Sequence, residues 1–474
     1  MWQPDLHPNS MPIYERLVVA MAHDIQIGLL TPGTRLPTQR DLAFRLGISV
    51  GSVTRAYAEA ERRGLLSAHV GRGTFVCCPL PTVPDVPTIE RGTTFMPNSN
   101  RPVDLRCNTV PPVPLMAELK AALGELMARG ALDPAMHYVQ GSGLPKVREA
   151  GARWISRHYG LDFHAGNLIQ CNGGQHGIAL VFSSLCAPGD SILCEASTFY
   201  GARMAATHLG LKLHGLPMDD EGLLPEAVKR AAQETGSRLL FTLPTLHNPT
   251  TRTMSDQRRK EIATVAREHN LIILEDDAYY AYSEHPRQIV SYAPERTIYL
   301  ASLSKGICPG FRLAFLVLPC SLPQERIMRG IRAFGYCPPT LGALVFSEWV
   351  EDGRIDSISQ MVQKEATARW NLAQSILGDL VACPGAARSP HAWLPMPTTE
   401  AAHISTSLLR FGVEVTPPEA SEVSTEASEV STEAAMGLRL CLGAPESQNK
   451  LQRALEIIKN VIKAYNRTDH NRVV

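Results

Sequence analysis

ASLSKGICPGFRLAF, residues 301–315, places Ser302, Ser304, Lys305 and Arg312 within eleven residues, directly between two apolar runs. The run before, TIYLASLS, and the run after, LAFLVLP, are continuously hydrophobic rather than alternating, which is the mark of strands buried on both faces. Working outward, runs of the same kind recur in LIQC, SILCEA, SRLLFTLP and LIILEDD. Amphipathic helical patterns separate them, one near 145–159 and another through GGQHGIALVFSSL. The alternation predicts an α/β domain whose central sheet is mostly parallel and covered on both faces.

Such folds hold their ligands at the carboxyl ends of the strands, and here those ends carry an unusual set. LEDDAYYAY (274–282) puts Asp276 at a strand terminus with Tyr279 three residues on. TLPTLHNPT (242–250) presents Asn248, and CNGGQHG (171–177) offers backbone N–H groups at the start of a helix. Taken singly these are ordinary: a surface lysine, a helix-capping aspartate. Together they answer the needs of pyridoxal 5′-phosphate. Its aldehyde needs an amine, which Lys305 supplies as an imine. Its ring nitrogen stays protonated beside a buried carboxylate. The phenolate oxygen needs donors, the phosphate needs helix-start amides, hydroxyls and a guanidinium, and the ring needs an aromatic surface.

The first 76 residues read differently. PIYERLVVAMAHDIQIG (12–28) sets Ile13, Leu17, Met21 and Ile25 on one helical face. A second helix follows, with Thr38 placed to cap it after Pro37, and a third is capped by Ser49 and stops at Gly64. LLSAHVGRGTFV then supplies a β-hairpin around Gly71, Arg72 and Gly73. Three helices and a hairpin describe a winged helix-turn-helix. Its third helix brings Ser49, Ser52, Thr54 and Arg55 near its start, where small polar groups can approach a major groove. Eight arginines face six carboxylates there, a modest basic excess.

Residues 32–76, PGTRLPTQRDLAFRLGISVGSVTRAYAEAERRGLLSAHVGRGTFV, resemble the GntR class of bacterial winged-helix repressors. That likeness implies DNA contacts from Arg40, Ser49, Ser52, Thr54, Gly71 and Arg72. The family commonly has Arg after the capping serine, where this chain has Val50. About 350 residues of the remainder resemble the aspartate-aminotransferase-like, fold type I enzymes. By that resemblance Lys305 is the Schiff-base lysine, while Ser302, Ser304, Arg312, Gly174 and Gln175 hold the phosphate. Asp276 pairs with the pyridine nitrogen; Tyr279 and Asn248 donate to the phenolate oxygen. Phe199, in EASTFYG, stacks on the ring, although Ser197 stands where the motif normally has Pro. Tyr138, in HYVQGSG, reaches the neighbouring subunit's phosphate, and Arg439, in GLRLCLGA, clamps a substrate α-carboxylate. A winged helix joined to such a fold resembles the MocR subfamily of GntR-type regulators. The expected function is then a transcriptional regulator that senses this cofactor, or an amine or amino acid joined to it, through an aldimine. The alternative is a working aminotransferase with a DNA-binding appendage. A head-to-tail homodimer on double-stranded operator DNA is implied.

The whole composition agrees. The 474 residues suggest two or three domains, and 46 basic residues balance 46 acidic ones, so no uniformly basic coat is present. We divide the chain into a winged helix (1–78), a Pro-rich connector (79–114) and an effector domain (115–466). No apolar run is long enough to span a bilayer and no secretory signal is visible, so the expected location is the cytoplasm. Eleven scattered cysteines contain no C-x-x-C pair, which argues against both a disulfide framework and a metal site. An identical heptad, EASEVST, stands at 419–425 and again at 426–432. It reads as a duplicated, solvated loop bordering the ligand entrance, since two copies cannot sustain a coiled coil.

Overall fold

The structure, a computed structural model, describes residues 2, 4, 12–26, 28–31, 33–63, 65–69, 73–77, 102–279, 282, 286–382, 389–423 and 436–470. The chain forms two compact units, Met1–Asp85 and Val86–Val474.

In the small unit, helices α1 (Ile13–Gln26), α2 (Gln39–Leu46) and α3 (Val50–Arg62) precede an antiparallel hairpin of β1 (Leu66–His69) and β2 (Gly73–Val76). Thr38 and Ser49 cap α2 and α3, accepting from the amides of Asp41 and Ser52. Leu17, Val18, Met21, Leu42, Val53 and Tyr57 are buried together. The face of α1 thus differs from the expected one: Ile13 is exposed, Ile25 is half-buried, and Val18 takes their place. A strict four-residue spacing drifts around a helix of 3.6 residues per turn, so its outer members rotate out of the core. Gly64, Gly71 and Arg72 lie outside the described residues.

The large unit opens with β3 (Val103–Asp104), α4 (Met116–Ala128) and α5 (Pro145–Tyr159). Strands and helices then alternate through β4 (Leu168–Asn172), α6 (Gly173–Leu185), β5 (Ser191–Glu195), α7 (Tyr200–His208) and β6 (Lys212–Leu216). A small hairpin, β7 (Met218–Asp219) and β8 (Gly222–Leu223), leads to α8 (Pro225–Thr235), β9 (Leu239–Thr242), α9 (Asp256–Glu268) and β10 (Ile272–Asp276). Next come β11 (Thr297–Ser302), β12 (Leu313–Val317), α10 (Gln324–Phe334), α11 (Leu341–Glu351) and α12 (Arg354–Leu377). The last elements are β13 (His391–Pro395), α13 (Thr398–Arg410), β14 (Val413–Glu414), β15 (Gly437–Cys441) and α14 (Gln448–His470).

Seven strands form the main sheet in the order β4-β12-β11-β10-β9-β5-β6, with only β12 running against its neighbours. Every residue of β9, β11 and β12 is buried, as their unbroken apolar sequences require. A second, smaller core joins α12, α13 and α14 to the pairs β13–β15 and β3–β14 around Leu105, Trp370, Leu394, Leu438 and Leu455.

Two segments differ from their sequence reading. Residues 102–114, assigned above to the connector, join the large unit: Val103 and Leu105 enter the smaller core, and Val110 and Val113 pack on the main one. Strand β3 pairs in parallel with β14, and the Val103 amide donates to the Gly412 carbonyl at 2.8 Å. A two-residue strand among prolines carries no periodicity to read. The described part of the first heptad copy, residues 419–423, is docked rather than solvated. Ala420 and Ser421 are buried, the Ser421 carbonyl accepts from the Thr198 amide, and the Val423 amide donates to the Ala196 carbonyl, both at 2.8 Å. Val423 fills the space left by Gly215, whose missing Cβ would stand 3.1 Å from the valine Cβ. The second copy, 426–432, lies outside the described residues.

Candidate functional site

The carboxyl ends of β9, β10 and β11, with the end of β4, converge on one edge of the sheet and deliver most of the residues expected there. Lys305 stands three residues beyond β11, where its Nζ donates to the Asn108 carbonyl and the Tyr282 hydroxyl donates to its own carbonyl. Burial lowers the pKa of this amine. A less basic lysine is a better nucleophile near neutral pH.

Asp276 ends β10. Its carboxyl is 5% exposed and its Oδ1 finds no hydrogen-bond partner. Burial, with Asp277 beside it, raises its pKa to about 7, against the pull of Lys305. A buried carboxyl oxygen without a partner costs stability. A cationic N–H of a ligand removes that cost.

A cup lined by two glycines lies where β4 passes into α6. Gly173 there has φ +79°, and a Cβ on it would stand 2.5 Å from Nη2 of Arg312. A Cβ on Gly174 would stand 3.5 Å from the Ser302 hydroxyl oxygen. The hydroxyl of Ser304 is buried and unpartnered. Gly174, Ser302 and Arg312 are therefore gathered around the first turn of α6, whose amide N–H groups favour an anion. Gln175 donates from Nε2 to the Gly201 carbonyl at 2.7 Å, and the ring of Phe199, at the N-cap of α7, closes on that same glycine.

Asn248 and Arg439 are coupled directly. Nη1 of Arg439 donates to Asn248 Oδ1 at 2.6 Å, which leaves the asparagine Nδ2 for another acceptor. Nη2 of Arg439 donates to the Arg106 carbonyl and to Thr416 Oγ1, each at 2.8 Å, while Nε is buried without a partner. Tyr279 Oη accepts from Asn108 Nδ2 at 3.0 Å and keeps its own proton to give. Burial raises the phenol's pKa, so it remains a donor. Tyr138 stands apart from this cluster within one chain: it is exposed, its ring edge-on to Tyr336 at 4.9 Å.

Amine, buried carboxyl with one open oxygen, anion cup, aromatic ring and two hydrogen-bond donors fit pyridoxal 5′-phosphate in number and in kind. Two neighbours escaped the sequence reading. Asn108 lay in the segment assigned to the connector, and His391 opens a strand with no motif around it; nothing local marks either one.

In the winged helix, Arg40, Ser49 and Thr54 are exposed and Ser52 is half-buried at the start of α3. The Ser49 and Ser52 hydroxyls are 2.9 Å apart. Thr54 Oγ1 lies 2.8 Å from Gln39 Oε1, tying α3 to the start of α2. Arg55 is drawn back onto α1, its guanidinium 3.9 Å above the Tyr14 ring.

Among the described residues no helix is long and apolar enough to cross a membrane, and no cluster of three metal-ligating side chains occurs. Residues 103–458 match the aminotransferase class I and II family, and residues 13–76 match the bacterial regulatory proteins of the gntR family. The HTH-type transcriptional regulator YdeF of Bacillus subtilis is 27% identical over 97% of this chain and 96% of its own length. The HTH-type pyridoxine biosynthesis transcriptional regulator PdxR of Corynebacterium glutamicum is 28% identical over 79% of this chain and 80% of its own. In fold, the kynurenine aminotransferase of Pyrococcus horikoshii superposes with a TM-score of 0.68 at 22% identity, over 77% of this chain and 92% of that one. The chain therefore belongs to the aminotransferase class I and II family and, through its gntR-type winged helix, is a DNA-binding transcriptional regulator of the MocR kind.

Proposed function

We propose that this regulator reads the level of an amine or amino acid through pyridoxal 5′-phosphate held at Lys305, and that it does so as a cytoplasmic homodimer on operator DNA. The observation that carries the reading is the buried Asp276 carboxyl, its Oδ1 without a partner, beside the half-buried Lys305. When bound, the cofactor supplies an aldehyde that condenses with primary amines and a ring that withdraws electrons.

The chain's own residues would do the rest. Lys305 offers its amine once released from the Asn108 carbonyl. Asp276 holds the proton of the ring nitrogen, while Tyr279 and Asn248 Nδ2 donate to the ring oxygen. Arg312, Ser302, Ser304, Gly174 and Gln175 bind the phosphate, and Phe199 keeps water from one face of the ring. Arg439 meets a ligand carboxylate through a guanidinium N–H that makes no bond within the chain. Tyr138 serves the partner subunit's site. Arg40, Ser49, Ser52 and Thr54, with Gly71 and Arg72 of the wing, meet the duplex.

The test compares wild type with Lys305→Ala. Wild type should gain a visible absorption band with the cofactor, and an active amine should change both that band and operator affinity. Lys305→Ala should lose the band and the amine's effect while still binding DNA. Unchanged absorbance and unchanged amine-dependent DNA binding in the variant would overturn the reading. The retention of Lys305, Asp276 and Arg439 together favours a second reading, a working aminotransferase. Many turnovers with an amino donor and a keto acid would establish it, whereas one stoichiometric half-reaction supports the sensor.

A further inference from the structure

His391 is fully buried, as the first residue of β13, and belongs to no motif named above. Its Nε2 lies 3.1 Å from the His247 carbonyl oxygen. A carbonyl only accepts, so Nε2 carries the ring proton and Nδ1 presents a lone pair. Burial, with Arg439 nearby, lowers the pKa to about 3, so the ring stays neutral. Nδ1 faces the side-chain amide of Asn108 at 3.1 Å and the Ser389 hydroxyl at 3.3 Å.

A lone pair can be met only by a donor. The Asn108 amide must therefore turn its NH2 group towards His391, and the second hydrogen of that NH2 reaches Tyr279 Oη at 3.0 Å. The opposite amide orientation would set Asn108 Oδ1 against the phenol and capture its proton. In the observed orientation Oδ1 is buried and unpartnered, and the Tyr279 proton is left for the site. The Asn108 carbonyl meanwhile accepts from Lys305. One residue thus touches the reacting lysine through its backbone and the donating tyrosine through its side chain.

We propose that His391 is a positioning residue for Tyr279. Its fixed tautomer sets the Asn108 amide, and that amide compels the phenol to donate into the site at Lys305 rather than backwards into the protein. The inference rests on the cofactor reading given above and deepens it.

The experiment titrates the full-length protein with pyridoxal 5′-phosphate and records affinity and the position of the visible band. The set is wild type, Tyr279→Phe, His391→Leu, the double variant and His391→Gln. Tyr279→Phe should weaken binding about ten-fold and move the band, because a donor to a charged oxygen is lost. His391→Leu should do the same within about two-fold. The double variant should be no weaker than the worse single by more than about two-fold, since both act through one hydrogen bond. His391→Gln, which can again present an acceptor to Asn108 and a donor to the His247 carbonyl, should recover most of the effect. Asn108→Asp, of the same size but without amide donors, is the second route should His391→Leu fail to fold; it should match Tyr279→Phe. Additive losses in the double variant, or a His391→Leu protein with wild-type band and affinity, would overturn the proposal. So would an Asn108→Asp protein with an unshifted band. If wild type itself gives no band, it is the cofactor reading that falls.

Discussion

Asp276 carries the clearest electrostatic signature of the site, and its effect on stability has a definite sign. An ordinary aspartate ionises at roughly 3.9 in the unfolded chain, whereas burial holds Asp276 near 7 in the folded protein. Between those values the folded state binds the extra proton, so its contribution to stability declines as pH rises across the window. The buried His247 and His391, both lowered to about 3 by burial, act in the opposite sense: their contribution is lost as pH falls below the ordinary histidine value. The difference between wild type and Asp276→Asn isolates the carboxyl. In urea melts of cofactor-free protein the variant should gain on wild type steadily from pH 4 to pH 7, by roughly 4 kcal/mol at most. Saturating cofactor should flatten the wild-type slope, because the ring N–H supplies the missing partner, and should do little for the variant. A pH-independent difference without cofactor would mean that the carboxyl is ionised throughout.

At the scale of elements, two helix starts do most of the positioning. The first turn of α6 is open because Gly173 takes a left-handed φ and leaves room for Arg312. Gly173→Ala should cost about 1–2 kcal/mol in backbone strain and push the guanidinium from the cup. Affinity for pyridoxal 5′-phosphate should fall at least ten-fold, while affinity for unphosphorylated pyridoxal should barely move; comparing the two ligands by fluorescence quenching separates the cup from the rest of the site. The start of α3 depends on Ser49, and Ser49→Ala should cost about 1 kcal/mol of small-unit stability, read in a melt. Arg40→Ala should leave that melt unchanged, weaken operator binding uniformly across sequences, and lower the salt slope by about one ion. These elements were legible in the sequence because each is announced locally: apolar runs for β9 to β12, a capping serine for α3, a glycine pair for α6. Lys305, Asp276 and Asn248 were legible because they sit just past such runs. Asn108 and His391 were not, being 283 positions apart in the chain and joined only by the fold. The docking of Glu419–Val423 was equally hidden, since a polar heptad gives no hint of the groove beside Gly215. The sequence places Arg55 near the start of α3, and only the packing of α1 against α3 reveals Tyr14 beneath it.

For the whole molecule, function requires that events at Lys305 and events at α3 share one free energy. An amine alters operator affinity only to the extent that it binds the DNA-competent arrangement differently from the other; tight binding to both would change nothing. The coupling is reciprocal: whatever factor the amine imposes on operator affinity, the operator must impose on amine affinity. If an amine tightens operator binding ten-fold, about 1.4 kcal/mol, then the amine's own Kd, followed by the visible band, should tighten ten-fold when saturating operator DNA is added. The Lys305→Ala protein should show neither effect, and His391→Leu should reduce both by the same factor, since a positioning change at the site cannot act on one side of a thermodynamic cycle alone. Unequal factors would mean that the band reports chemistry which has run on past binding, the behaviour of a turning-over enzyme. In that case the amine would be a substrate consumed during the measurement, and the DNA response would follow product as well as ligand.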